Sequence, residues 1–395
     1  MPNPTLGMLV YANPDHYPPT VNAVHLLAEH FDVVLIGRNQ AKSDRTYPAN
    51  VQIYRLGEYS SVRQREAAGA IAKFREYIAF IQQTRQILKQ ATLIYAYDSY
   101  AYIAALLCRF TLFKSIPIIY HSHEISEQIP AITSLGGWIS RAERQWIHQA
   151  AAVVFPDQTR ANFFQNITQF QQTPVIVPNF PLKSTFTFQK DWETLIQQRW
   201  RSGTLFYRGS ISDASAMREV ISSVSLVGQA IEQDLTVQYV GFLQDKERQT
   251  LEHWVEHIGA DAYFSYLGTL PYDDLQLHTL LAAIGFALYK DISFDRVACA
   301  SACNKIYEYA ACGLPTIVSD FSTYRDYLAH EPWVRFANPD DPQSIATAIQ
   351  DILHDFEQYR IMCLAARQAF EEKFNFESAF TPLLLTIKTC MRDAA

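Results

Sequence analysis

The chain has 395 residues, 49% hydrophobic and 18% charged, which excludes a disordered protein and exceeds what one compact core usually holds. Two domains are expected. The net charge of −7 gives no global positive field for nucleic acid, and no run of about 18 apolar residues exists to cross a membrane.

The amino terminus, "MPNPTLGMLVYANP", lacks a basic segment leading into a long apolar core, so no export signal is read. "LGMLVYA" (6–12) reads as a strand, "TVNAVHLLAEH" (20–30) as a helix and "DVVLIG" (32–37) as a second strand. Residues 60–92 carry a basic amphipathic helix pattern with two readings: a helix packed on the first domain, or a peripheral contact with an anionic membrane. "TLIYAYD" (92–98), "SIPIIYHSHE" (115–124), "AAVVFPD" (151–157) and "PVIVPN" (174–179) follow as strands. Continuous apolar strands separated by helices indicate a parallel sheet covered on both faces.

The pattern pauses at 180–203, a polar and aromatic stretch without clear period, and the domain boundary is placed there. It restarts with "TLFYRGS" (204–210), "LTVQYVGF" (235–242), "AYFSYLGTL" (262–270), "IGFALYK" (284–290) and "PTIVSD" (315–320), a second βα domain. Residues from about 342 onward are helical.

Six cysteines never form a C-x-x-C pair, which points to reduced thiols in the cytoplasm. His253 and His257 stand four apart, but "HWVEH" is not H-E-x-x-H, and a solvated helix face accounts for them; no metal constellation is read. GxGxxG is absent after the first strand, and GxxxxGK[ST] is absent altogether. In "CNKIYEYAACGLPTIVSD" (303–320) a loop feeds a helix that starts near Asn304 and stops at Gly313. Lys305 in the first turn opposes the helix dipole, which a bound anion would explain. Glu308, one turn on, could accept hydrogen bonds from sugar hydroxyls. An exposed Lys305–Glu308 ion pair is the other reading.

"NKIYEYAACGLPTIVSD" resembles the donor segment of GT-B glycosyltransferases of the family 4 type. "YAYD" (95–98), "IIYHSHE" (118–124), "VIVPN" (175–179), "LFYRGSIS" (205–212) and "YFSYLGTLPYDDL" (263–275) match further segments in order. The resemblance implies an α/β protein of GT-B fold, two Rossmann-like lobes facing a cleft, with C-terminal helices crossing back. It implies an acceptor-side domain 1–180, a linker 181–203, a nucleotide-sugar domain 204–365 and a helical segment 366–395. The activity implied is retaining transfer of a sugar from a UDP- or GDP-linked donor to a sugar, lipid-linked or other small acceptor, without metal or cofactor, in cell-envelope polysaccharide synthesis.

Asp98, His123 and Glu124 would then act at the acceptor hydroxyl, and His16 and Thr20 would line the acceptor side. Arg208, Gly209, Ser210, Arg218, Asn304, Lys305 and Glu308 would bind the donor, Glu308 at the ribose. The chain differs from the family in having Ala300 where a second Glu is common, and Ser210 and Ser215 where Arg and Lys are common. Arg208, Arg218 and Arg296 are the nearby cations. A sugar-nucleotide 2-epimerase and a catalytically silent nucleotide-sugar-binding homologue are the rival readings.

Overall fold

A computed structural model describes residues 3–15, 17–40, 45–112, 115–125, 129–188, 191–209, 211–227, 231–292, 297 and 299–393. The chain divides into two compact units, Met1–Asn179 with Phe376–Ala395, and Phe180–Asn375.

The first unit holds a seven-stranded parallel sheet in the order β3-β2-β1-β4-β5-β6-β7. The strands are β1 (Thr5–Val10), β2 (Asp32–Arg38), β3 (Val51–Leu56), β4 (Leu93–Tyr97), β5 (Ile118–His121), β6 (Ala152–Phe155) and β7 (Val175–Ile176). Central β4 and β5 are buried at every position, as strands covered on both faces must be. Edge strand β3 is half-buried and alternates, so its sequence does not stand out as an apolar run.

The covering helices are α1 (Pro18–Ala28), α2 (Val62–Ala67), α3 (Ala70–Ile87), α4 (Asp98–Leu112), α5 (Leu135–Trp146) and α6 (Gln158–Thr168). α1 begins with proline, whose fixed φ suits a first helical turn. Ala101, Tyr102, Ile103 and Ala105 of α4 join Ile94, Ala96, Ile118 and Tyr120 of the strands in one core. Each fully buried aliphatic or phenyl side chain there contributes about 1.5–3 kcal/mol.

The 60–92 segment is not one helix: extended backbone at Ala68 and Gly69 separates α2 from α3. α3 packs on α4, burying Tyr77, Phe80 and Thr84, while Ile71, Phe74 and Ile78 of the same helix remain exposed.

The second unit holds a six-stranded parallel sheet in the order β10-β9-β8-β11-β12-β13. Its strands are β8 (Thr204–Arg208), β9 (Thr236–Val240), β10 (Phe264–Tyr266), β11 (Ile284–Ala287), β12 (Thr316–Ser319) and β13 (Val334–Ala337). Its helices are α7 (Trp192–Ser202), α8 (Met217–Val227), α9 (Asp245–His257), α10 (Tyr272–Leu281), α11 (Asn304–Ala311), α12 (Ser322–Leu328), α13 (Pro342–Leu353) and α14 (Phe356–Glu372).

The stretch 181–203, expected as an aperiodic linker, contains α7, capped by Asp191, whose carboxylate accepts from the Glu193 and Thr194 amides. This helix belongs to the second unit. Its Arg199 is fully buried and donates to the carbonyls of Leu280, Cys312 and Gly313, which end α10 and α11. The return to the first unit begins at Phe376 rather than 366, because α14 continues in the second unit through Glu372. From there α15 (Phe376–Asp393) buries Phe376, Phe380, Leu383 and Ile387 and packs against α1, β4 and β7.

In each sheet the strand order reverses direction once, between β1 and β4 and between β8 and β11. The crevices outside the carboxyl ends at such switch points are where open α/β sheets bind ligands.

Candidate functional site

At the first switch point, α4 begins on Asp98 immediately after β4, and Asp98 takes the left-handed conformation with φ 60°. A side chain held there is strained by about 1–3 kcal/mol, a cost that recurs where geometry serves a site. The Asp98 carboxylate accepts from the His123 amide at 2.8 Å. Burial pushes its pKa up to about 7, against the pull of the His123 and Glu124 amides and the Arg160 charge, with Glu124 adding to the rise.

His123 is buried, and neither ring nitrogen has a hydrogen-bond partner among the described residues. Its ring stacks on Tyr97 (5.2 Å, 13°) and lies 4.4 Å from Tyr17 and 4.3 Å from His121. Burial holds its pKa well below the usual value, helped by His121 and Arg160, so the imidazole is neutral and has a lone pair to offer. Glu124 is exposed. Thr20, in the first turn of α1, is buried, and its hydroxyl has no partner among the described residues. His16 lies outside the described residues.

Arg160 and Asn179 were not singled out as site residues from sequence, whereas Tyr17 opens the "YPPT" turn (17–20) that, with His16, was expected to line the acceptor side or to form an ordinary rigid loop. Tyr17 caps α1, its hydroxyl bonds to Asn179, and its pKa is raised by burial and then by Asp98 and Glu124.

At the second switch point, β8 ends in Arg208, Gly209 follows it, and α11 brings Asn304, Lys305 and Glu308 to the same place. Gly209 has φ 120°, and a Cβ added there would stand 3.2 Å from Lys305 Nζ. Gly241 has φ 152°, and its added Cβ would fall 1.7 Å from the Gly209 carbonyl oxygen, so two glycine backbones pass in contact.

Lys305 is buried, with Nζ 3.8 Å from the Tyr207 ring centroid and 4.9 Å from that of Tyr289. No carboxylate pairs with it among the described residues. Glu308 is also buried: its Oε2 lies 3.2 Å from Arg208 Nε, and its Oε1 accepts from the Tyr272 hydroxyl at 3.3 Å. The exposed Lys305–Glu308 ion pair is therefore ruled out, because both side chains are buried and the glutamate's cation is Arg208.

Arg208 also donates to Thr279 Oγ1 at 3.1 Å. Burial opposes its charge, but Glu308 and neighbouring hydroxyls outweigh it and raise the pKa. Asn304 Oδ1, at the first position of α11, is buried without a partner among the described residues. Beside it the Cys303 thiol is shifted down: burial opposes ionisation, and the Cys299 hydrogen bond, the Lys305 charge and the Tyr289 hydroxyl together win. The Ile306 amide in the first turn of α11 adds to the same effect.

Ser210 and Arg296 lie outside the described residues. Arg218 is exposed, packs over Trp254 at 5.5 Å, and lines a cavity of about 650 Å³ with Lys290 and Glu219, apart from the Lys305 and Glu308 contacts. Ser215 is buried and hydrogen-bonded to the Tyr207 hydroxyl at 3.2 Å. Ala300 is buried, its carbonyl accepting from the Tyr307 hydroxyl. A cavity of about 900 Å³ opens at the amino ends of β1, β4 and β5 and contains none of the expected site residues. His253 and His257 lie on the exposed side of α9.

Residues 200–369 match the family described as glycosyl transferases group 1. No curated protein matches the chain by sequence. Among solved structures, sucrose-phosphate synthase from Thermosynechococcus elongatus superposes with a TM-score of 0.72 at 16% identity, covering 99% of this chain and 100% of that one. HepE from Anabaena, in complex with UDP-glucose, gives 0.69 at 15% identity over 98% and 99%. A glycosyltransferase from Rickettsia africae gives 0.71 at 10% identity over 99% of each chain. At such identities the structural likeness establishes the GT-B fold. The similarity to the group 1 glycosyl transferases covers residues 200–369, which lie within the second unit.

Proposed function

We propose that this chain transfers a sugar from a nucleotide-diphosphate sugar, UDP- or GDP-linked, to an acceptor hydroxyl with retention of anomeric configuration. The observation that carries this reading is the buried, carboxylate-free Lys305 at the start of α11, set against a Gly209 backbone that has no Cβ to keep a ligand away. As the donor bond breaks, the departing nucleoside diphosphate gathers negative charge. Lys305 and the amino end of α11 meet that charge without reorganising. Arg208 and Tyr272 each engage one oxygen of Glu308, and the remaining lone pairs are free to accept from ribose hydroxyls.

Asp98 and the neutral His123 supply proton acceptors for the incoming hydroxyl, with Glu124 beside them in sequence. The reading calls on no cofactor, since side chains and a helix end carry the charge. The exposed Ile71, Phe74 and Ile78 of α3 support a peripheral membrane contact on the cytoplasmic side, suited to a lipid-linked acceptor in cell-envelope polysaccharide synthesis.

The test is thermal stabilisation of the chain by UDP-, GDP- and ADP-linked sugars, followed by product analysis with the best donor. Nucleotide release that depends on an acceptor supports transfer. Free epimerised sugar formed without an acceptor refutes it in favour of a 2-epimerase, and tight binding without turnover refutes it in favour of a silent homologue.

A further inference from the structure

We propose that Arg65 and Arg38 form a subsite for an anionic group, carboxylate or phosphate, on the acceptor sugar. The inference rests on the transfer reading above and adds the acceptor's chemical class. Tyr11 directly follows β1, Arg38 ends β2, Arg65 lies on α2, and Tyr100 sits in the first turn of α4, two residues after Asp98. The carboxyl ends of adjacent strands and the start of α4 thus bring these residues to the Asp98 side of the sheet.

Tyr11 and Tyr100 stack with centroids 5.2 Å apart and planes 7° from parallel. The Arg65 guanidinium lies 4.6 Å from the Tyr11 centroid and 6.0 Å from that of Tyr100, and the Arg38 guanidinium lies 4.9 Å from Tyr11. Tyr77 and Phe80 meet Tyr11 edge-on, so the ring that carries both cations is fixed from behind.

The charges do not balance. Two guanidinium groups share one aromatic ring, and the carboxylate that reaches them, Glu76, is bonded to Arg38 at 2.8 Å. Arg38 is buried, yet its Nη1 has no hydrogen-bond partner among the described residues. Arg65 has neither an ion pair nor a side-chain hydrogen bond among the described residues, and burial together with Arg38 lowers its pKa. Aromatic faces attract a guanidinium but leave its in-plane N–H groups unmet, and those groups fit the paired oxygens of a carboxylate or phosphate. An oxyanion bound by Arg65, with Arg38 behind it adding charge, would satisfy both residues. Asp15 does not supply it, being paired with Arg55 at 2.6 Å and with the Tyr47 hydroxyl.

The test is calorimetric titration of the whole chain, loaded with UDP, using glucose, glucuronic acid and glucose 6-phosphate. The wild type is expected to bind at least one anionic sugar ~10-fold more tightly than glucose, since charge-assisted bidentate bonds are the strong ones. Arg65→Met should abolish that preference, Arg65→Lys should recover part of it, and both variants should melt like the wild type. Which anionic sugar binds more tightly separates a carboxylate from a phosphate acceptor. Equal affinity for neutral and anionic sugars, or a preference that survives in Arg65→Met, overturns the proposal. UDP binding to the wild type, measured first, reports on the donor reading alone; its failure leaves the anion measurement standing in the UDP-free chain.

Discussion

Replacing Glu308 tests the buried pair and the proposed ribose contact at once. The Glu308 side chain is 9% exposed and Arg208 5%, with 3.2 Å between Oε2 and Nε. Removing one partner of such a pair strands a buried charge and typically costs ~3–5 kcal/mol. Arg208 keeps its bond to Thr279 and its place over the Tyr272 ring, so Glu308→Ala is expected near the lower end, about 3 kcal/mol. For a unit of this size that lowers Tm by about 6–12 °C. Glu308→Gln retains an acceptor for the Tyr272 hydroxyl and should lose less. The double variant Arg208→Met with Glu308→Leu should recover most of the loss, because no charge is then stranded. The ribose contact predicts a separate effect: UDP affinity falling ~10-fold or more in Glu308→Gln, the worth of a hydrogen bond to a charged acceptor. Thermal unfolding and calorimetry with UDP read the two effects independently. A double variant as unstable as Glu308→Ala refutes the pairing, and unchanged UDP affinity in a folded Glu308→Gln removes the residue from the ribose.

Four further outcomes are expected. With Asp98 acting as proton acceptor, turnover should rise with pH through about 7 as its carboxylate ionises, and Asp98→Asn should lose that limb while tolerating φ 60°. Because its folded pKa is raised, Asp98 costs stability as pH climbs from about 4 to about 7, so Asp98→Asn should melt above the wild type at pH 8 and not at pH 4. Gly241→Ala should destabilise more than Gly209→Ala, since its Cβ meets a carbonyl oxygen at 1.7 Å whereas that at Gly209 meets a lysine tip at 3.2 Å; equal melting temperatures would contradict this. Arg199→Met should cost ~3 kcal/mol or more by leaving three buried carbonyls without their donor, read from denaturant unfolding.

The strands of both sheets could be read from sequence because burial on two faces makes continuous apolar runs, and "LIYAY" or "TIVS" has few other uses. β3, the short edge strand β13 (Val334–Ala337, half-buried at its middle positions) and α7 could not. β3 is an edge strand with one half-buried face, and α7 reads as polar because "WETLIQQRWRS" includes Arg199, which in sequence looks solvated. Arg199 is buried only because α10 and α11 end beside it with unmet carbonyls, a circumstance written far along the chain. The same reasoning separates Lys305 from Glu308. Their spacing and position at a helix start were visible, and from those alone an exposed ion pair was a sound reading. What decides against it is Arg208 at the end of β8, which takes the glutamate and leaves the lysine on Tyr207 and Tyr289. Asp98 and His123 show the limit in the other unit. Their strand-end positions were legible, but the left-handed Asp98 and the amide that grips it arise when β4 and β5 pair. Local period thus locates a functional side chain, while its charge state is set by partners that only the sheet brings near. Arg38 and Arg65, on separate elements around Tyr11, are therefore the kind of residues that a motif search passes over.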